Sequence, residues 1–314
     1  MKTVWFGCIS DSSTGLGHVS RCVALAEEFR VRRINTCFNH LSNLNLQGVK
    51  ILEQSNFTTN CCCQGVSDLT VIDSYNVDFI AYCRNLTRNP AVLLVDDTSP
   101  IVHAEYYLQA SPIVKWKPQN LKAQVFEFSS NPILREKFDF KFESAEYPES
   151  SFRLIISLGA INNFENILRI LILAVEDLNI FESEILVILG TQSIPDLGFL
   201  SLKRKINFVE GAQDIAKVFN AFTFVISAAG VTAWELISMG VPGFLIAAAD
   251  NQMTQAEYMT KHNLRKCLVY RSERQLKREL LMLFEDIQNV FLTQQQSIKN
   301  GRKEAVDWIL QFVR

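Results

Sequence analysis

The chain is short of charge imbalance, of long apolar runs and of metal-type cysteine spacing, and each shortage removes a class of function. Its 31 basic residues stand against 33 acidic ones, a formal net charge of −2. That balance argues against a nucleic-acid partner and against attraction to an anionic membrane. No run reaches the ~20 apolar residues of a membrane-spanning helix. The longest, Leu168 to Val175 and Ile185 to Leu189, have the lengths of core elements. Met1 to Cys8 passes directly into polar Ser10–Ser13, unlike a secretory leader, so a cytoplasmic location without stable membrane association is expected. There are 8 cysteines, yet no Cys-x-x-Cys pair, and adjacent Cys61-Cys62-Cys63 cannot wrap one tetrahedral ion without strain. Reduced thiols are the expectation, with no metal and no cofactor. An Asp-x-Asp motif is also missing, and adjacent Asp96-Asp97 at a strand end would point in opposite directions.

What remains is an ordinary globular composition, 48% hydrophobic and 20% charged, over 314 residues. That length suits two domains of about 150 residues. Short apolar runs at Thr3–Ile9, Thr36–Asn39, Leu69–Asp73 and Val92–Asp96 alternate with helical spacing at Val19–Phe29 and Val77–Thr87. This is the rhythm of βαβ units and a parallel sheet. Ser111–Pro148 is less regular, and Glu143–Ser151 reads as a linker. The rhythm then restarts with strand Arg153–Leu158, turn Gly159–Asn163, helix Asn166–Leu178, strands Glu184–Leu189 and Ile206–Val209, and helix Asp214–Ala221. A last helix from about Ser297 to Phe312 has an apolar face that could pack across both domains. The expected architecture is α/β, with two tandem Rossmann-like domains over 1–148 and 151–314 and an interdomain cleft beyond the carboxyl ends of the strands. Nothing in the pattern requires a partner chain, so a monomer or weak oligomer is expected.

Two stretches carry the chemistry. In the first, the strand Thr3–Ile9 turns through Ser10-Asp11-Ser12-Ser13-Thr14-Gly15-Leu16-Gly17-His18 into a helix. Such a turn aims backbone N–H groups and a positive helix end at a ligand, which suits an anion. An ordinary βα turn capped by Ser or Asp would leave the same pattern. The second runs from Val225 through Ser227-Ala228-Ala229-Gly230-Val231-Thr232 and Glu235 to Gly240-Val241-Pro242, then Asp250-Asn251-Gln252. It parses as strand, small-residue turn, helix, break, strand and polar loop. Glu235 stands one turn into that helix, near enough to accept from ribose hydroxyls or simply to sit well on the helix dipole.

These residues resemble a known family. Asp11-Ser12-Ser13, Gly15-Leu16-Gly17-His18, Arg21-Cys22, Leu25-Ala26, Ile72-Asp73-Ser74-Tyr75, Val95-Asp96-Asp97, Leu134–Phe138 and Ser227–Gln252 resemble, in order, the hydrolases of the pseudaminic-acid pathway. Related spore-coat polysaccharide proteins share the pattern. The resemblance implies the two-domain glycosyltransferase-B fold, similar to the lipid-linked N-acetylglucosaminyltransferase of peptidoglycan synthesis. It also implies release of UDP from UDP-2,4-diacetamido-2,4,6-trideoxy-β-L-altropyranose. One departure stands out: the family's Gly-Gly-(Ser/Thr)-Asp is here Leu158-Gly159-Ala160-Ile161-Asn162-Asn163.

On this resemblance the candidate catalytic residues are His18, Asp11, Tyr75 and Asn251. An imidazole ordinarily titrates near pH ~6.5, which suits a base for the attacking water. Water held by His18 would attack the anomeric carbon opposite UDP and invert it. Asp11 and Ser13 would shape the loop, with Tyr75 and Asn251 positioning sugar or water. The implied UDP-sugar contacts are Ser13, Gly15, Gly17, Arg21, Ser227, Ala228, Ala229, Gly230, Val231, Thr232, Glu235 and Gln252. Backbone N–H groups of Ala229, Gly230 and Val231 would meet the diphosphate. A transferase on the same scaffold would use an acceptor hydroxyl in place of water.

Overall fold

The computed structural model describes residues 2–11, 15–39, 43–57, 67–87, 89–95, 104–113, 123–126, 131–142, 152–159, 161, 163–176, 181–190, 192–196, 202–210, 214–221, 224–287 and 298–312. The expectations for Ser12, Ser13, Thr14, Cys61-Cys62-Cys63, Asp96-Asp97, the linker Glu143–Ser151, Ala160 and Asn162 lie outside these residues. The chain divides into two units, one of Met1–Asp139 with Ile298–Arg314 and one of Phe140–Ser297.

In the first unit, β1 (Thr3–Cys8), α1 (Gly17–Val31), β2 (Asn35–Phe38), α2 (Leu46–Gln54), β3 (Leu69–Asp73), α3 (Val77–Thr87), β4 (Ala91–Val95), β5 (Tyr106–Gln109) and β6 (Gln124–Phe126) follow one another. The strands form a parallel sheet in the order β2-β1-β3-β4-β5-β6. β1 reads as an unbroken apolar run because helices cover both faces: Val4, Trp5, Phe6 and Cys8 are buried. Strand order reverses between β1 and β3, where Cys8 lies beside Asp73. Ligands of open α/β sheets bind at such a reversal, beyond the carboxyl ends of the strands.

In the second unit β7 (Phe152–Ser157), α4 (Phe164–Glu176), β8 (Phe181–Gly190), β9 (Lys205–Glu210), α5 (Ile215–Asn220), β10 (Phe224–Ala228), α6 (Val231–Met239), β11 (Gly243–Ala247), α7 (Asp250–Lys261), β12 (Lys266–Val269) and α8 (Glu273–Glu285) make a second parallel sheet, ordered β12-β11-β10-β7-β8-β9. Its reversal falls between β7 and β10. Ile167, Leu168, Leu171, Ile172 and Val175 of α4 join Leu154, Ile156, Ile226 and Phe244 in one core. The break between α6 and β11 needs its glycines. Gly240 ends α6 in the left-handed region at φ 76°. Gly243 has φ 157°, and a Cβ there would stand 1.8 Å from the Val225 carbonyl oxygen.

The last helix, α9 (Arg302–Ile309), was expected within 151–314, and the structure corrects this: it belongs to the first unit. The reason is a set of contacts that the helix's own periodicity does not announce. The Gly301 N–H donates to the Pro132 carbonyl at 2.8 Å, and the Asn300 side chain donates to the Leu134 carbonyl at 2.7 Å. Arg302 pairs with buried Glu28 of α1 at 3.4 Å and with Asp139 at 2.5 Å. Arg32 bridges Glu28 and Asp307. Trp308 stacks on Phe126 with centroids 5.1 Å apart, and Phe312 stacks on Tyr106 at 3.9 Å.

Candidate active site

Past the end of β1 the backbone is pinned before it turns. The Ser10 N–H donates to the Asn43 carbonyl at 3.1 Å, and the Asn45 N–H donates to the Ser10 carbonyl at 2.9 Å. Asn45 in turn caps α2 by accepting from the Gly48 N–H at 2.8 Å. The chain reverses with the Gly15 N–H donating to the Asp11 carbonyl at 3.0 Å, and α1 begins at Gly17. The N-cap of α1 is Leu16, and among the described residues no side-chain hydrogen bond caps it.

His18, in the first turn of α1, is 2% exposed, and its Nδ1 lies 2.5 Å from Asp73 Oδ1. Asp73 is the last residue of β3. Arg21, three residues on and so on the same helix face, forks onto that carboxylate. Its Nε donates to Oδ2 at 2.8 Å and its Nη2 to Oδ1 at 3.0 Å. Burial by itself would raise the Asp73 carboxyl, but the Arg21 and His18 charges and hydrogen bonds outweigh it and hold the group at about 2. An ionised Asp73 cannot donate, so the short contact is a hydrogen bond only when Nδ1 of His18 carries the proton. The 3.0 Å approach of Arg21 Nη2 to Nδ1 is then a charge contact and not a second hydrogen bond. Among the described residues, none makes a hydrogen bond with His18 Nε2. The Tyr75 ring, 40% exposed, meets the imidazole edge-on with centroids 4.5 Å apart. Asn39 extends the ladder alongside: the Cys8 N–H donates to its Oδ1 at 3.0 Å, and its Nδ2 donates back to the Cys8 carbonyl at 2.9 Å.

Thus the structure brings His18, Arg21 and Tyr75 together and adds Asp73, which sequence reasoning noted only as part of a resembling block. A carboxylate closing the otherwise apolar strand Leu69-Thr70-Val71-Ile72 was the available signal. Asp11 lies in the turn through its backbone, whereas the placement of Ser13 lies outside the described residues. Gly15 and Gly17 shape the turn and open the helix.

The second stretch folds as β10, turn and α6. Ser227 is fully buried and its hydroxyl donates to the Ala228 carbonyl at 3.2 Å. Two of the three backbone N–H groups expected to face the diphosphate are already used. Ala229 donates to the Ile246 carbonyl at 3.1 Å and Gly230 to the Ala228 carbonyl at 2.9 Å. Among the described residues nothing accepts from the N–H of Val231 or Thr232, the first two residues of α6. Open space adjoins this turn: a Cβ at Gly230, or at Gly159 beyond β7, would meet nothing within 4 Å. Glu235 is buried on α6. Gln252 is buried with its Oε1 accepting from the Ala248 N–H at 3.0 Å, while the Asn251 side chain lies outside the description. Among the described residues no group of three His, Cys, Asp or Glu could hold a metal ion, and no described helix is long and apolar enough to cross a membrane.

Neither a protein-family model nor a curated protein matches this chain. Solved structures do. MurG of Acinetobacter baumannii is 16% identical over 99% of this chain and 100% of its own, with a TM-score of 0.62. Anabaena Alr3699/HepE in complex with UDP-glucose is 13% identical over 99% and 100%, TM-score 0.63. A putative UDP-N-acetylglucosamine 2-epimerase from Listeria monocytogenes is 12% identical over 98% and 94%, TM-score 0.64. At these identities the likeness shows the fold, which is the two-domain glycosyltransferase-B architecture.

Proposed function

We propose that the chain releases UDP from a UDP-linked 2,4-diacetamido-2,4,6-trideoxy sugar, by His18-assisted attack of water on the anomeric carbon with inversion. The observation that carries it is the His18–Asp73 pair at the strand-order reversal of the first unit, on a fold shared with proteins whose solved structures hold UDP-glucose or UDP. With Nδ1 donating to Asp73, Nε2 takes the proton from water as the oxygen bonds to the anomeric carbon. The carbon–oxygen bond to the β-phosphate breaks, and its electron pair leaves with UDP. Tyr75 presents its ring beside the imidazole to the sugar, Asp11 shapes the loop, and Asn251 and Gln252 position sugar or water. On the second unit, the N–H groups of Val231 and Thr232, with the positive end of α6, meet the diphosphate, and Glu235 holds the ribose hydroxyls. Turnover is expected to proceed with EDTA present.

A glycosyltransferase using the same base on an acceptor hydroxyl is the second reading. It is favoured by the likeness to MurG and by the altered turn after β7, where Gly159 takes φ 61° and Asn163 φ 57°. Both readings are separated by following UDP release from a panel of UDP-sugars in EDTA without acceptor. Release from the diacetamido trideoxy sugar alone supports the hydrolase; release only on adding an acceptor supports the transferase. His18→Ala should lower release by about 10²–10⁴-fold, the usual worth of a general base, while UDP still binds. Undiminished release in that variant would remove His18 from the mechanism.

A further inference from the structure

Arg21 was expected among the substrate contacts, but it is 3% exposed and its guanidinium is committed to Asp73. We propose that Arg21 is a positioning residue that keeps His18 neutral, and therefore able to take a proton, by holding a permanent positive charge against the imidazole. The proposal rests on the reading of His18 as the base. An Asp beside a His has two effects that pull apart. It fixes the ring by accepting from Nδ1, which a base needs, and it favours the imidazolium, which a base must avoid at rest. Arg21 lets the chain keep the first effect and blunt the second.

The geometry is specific. Asp73 Oδ1 accepts from both His18 Nδ1 and Arg21 Nη2, at 2.5 and 3.0 Å, and Oδ2 accepts from Arg21 Nε at 2.8 Å. The bidentate fork fixes the plane of the carboxylate, and with it the direction of the Nδ1 hydrogen bond. The same Nη2 stands 3.0 Å from Nδ1 itself. A guanidinium does not lose its proton in proteins, so this positive charge persists at any working pH. All three side chains are 4% exposed or less, so solvent screens these charges little. Other titratable groups on the neighbouring elements are Tyr75 at the ring edge, Asp11 in the turn that leads into α1, and the thiols of Cys22 on α1 and Cys8 on β1. Burial and the Cys8 thiol push the Cys22 thiol up, so it adds no charge near neutral pH. The charged groups in direct contact with the imidazole Nδ1 are the Asp73 carboxylate and the Arg21 guanidinium.

The test combines ¹⁵N-histidine NMR titration with the pH profile of UDP release, in wild type, Arg21→Met, Arg21→Lys, Asp73→Asn and the double variant. The chain has only 4 histidines, and His18→Gln assigns the signal. In Arg21→Met the midpoint of the His18 titration should move up by about one pH unit or more, as expected for loss of a like charge in contact. Turnover in that variant should be weak at neutral pH and recover as the pH is raised by the same amount, a rescue that a merely structural role would not give. Arg21→Lys, which retains the charge, should stay near the wild-type midpoint. Asp73→Asn should move the midpoint down and lose turnover at every pH. If Arg21→Met does not fold, the comparison of Asp73→Asn with the double variant reads the same charge effect on a neutral background. A midpoint that is unmoved or lower on removing Arg21 overturns the proposal. Wild-type protein that releases no UDP from any UDP-sugar defeats the functional reading instead, and the NMR titration still decides the role of Arg21.

Discussion

Acid should weaken the first unit at Asp73, and the structure sets both the sign and the window. In the folded chain the carboxyl sits at about 2 against an ordinary 3.8. A carboxyl lowered on folding binds its proton more readily in the unfolded chain, so its contribution is complete above pH ~4 and is lost as the pH falls through about 2. A gap of nearly two units corresponds to ~2 kcal/mol, of which about half is gone by pH 3. The buried setting of all three partners means that this figure needs no discount for screening. Urea unfolding of wild type and Asp73→Asn, compared from pH 6 to pH 3, isolates the effect from the other carboxylates. The variant leaves Arg21 buried opposite an amide and should begin ~3–5 kcal/mol less stable. The difference between the two proteins should then narrow by ~1 kcal/mol across that range. A difference that stays constant, or widens with acid, would refute an ionised Asp73 held by Arg21 and His18.

Three further outcomes follow from particular contacts. Val231→Pro removes one N–H at the first position of α6, where proline is tolerated and the preceding Gly230 is already extended at φ −123°, ψ −153°. Isothermal titration should show UDP binding weakened by about 10-fold or more with an unchanged melting temperature, the cost of one hydrogen bond to a charged group; unaltered affinity would take the diphosphate away from this helix start. Gly243→Ala drives a Cβ into the Val225 carbonyl and should cost ~3 kcal/mol or more, seen as poor soluble yield. A variant that melts like wild type would show that β10 and β11 can part without penalty. Trp308→Ala removes the ring stacked on Phe126 and should destabilise the first unit by ~2 kcal/mol, with earlier proteolysis of the C-terminal segment; unchanged urea unfolding would mean that the Trp308–Phe126 stack contributes nothing to holding α9.

Local pattern determined a good deal of this molecule. The apolar run of β1, the glycines before His18 and the helical spacing after it are near-neighbour features. So are the Gly-Val-Pro break behind α6 and the restart of the βα rhythm at β7, and each was legible because steric and hydrophobic periodicity act over a few residues. His18 could be singled out for the same reason. What tertiary structure decided is what non-neighbours do to one another. Asp73 reaches His18 across 55 positions because β3, and not β2, flanks β1 on the far side of the reversal, an order that periodicity does not encode. Arg21 turns from a candidate ligand contact to a partner of Asp73 by that same juxtaposition. The Ala229 N–H is lost to the Ile246 carbonyl because β10 and β11 pair in one particular register. The last helix returns to the first unit because Glu28, Asp139 and the rings of Tyr106 and Phe126 await it there. Hydrogen bonds and ion pairs between distant segments depend on which strands become neighbours, and that choice belongs to the energy of the whole fold.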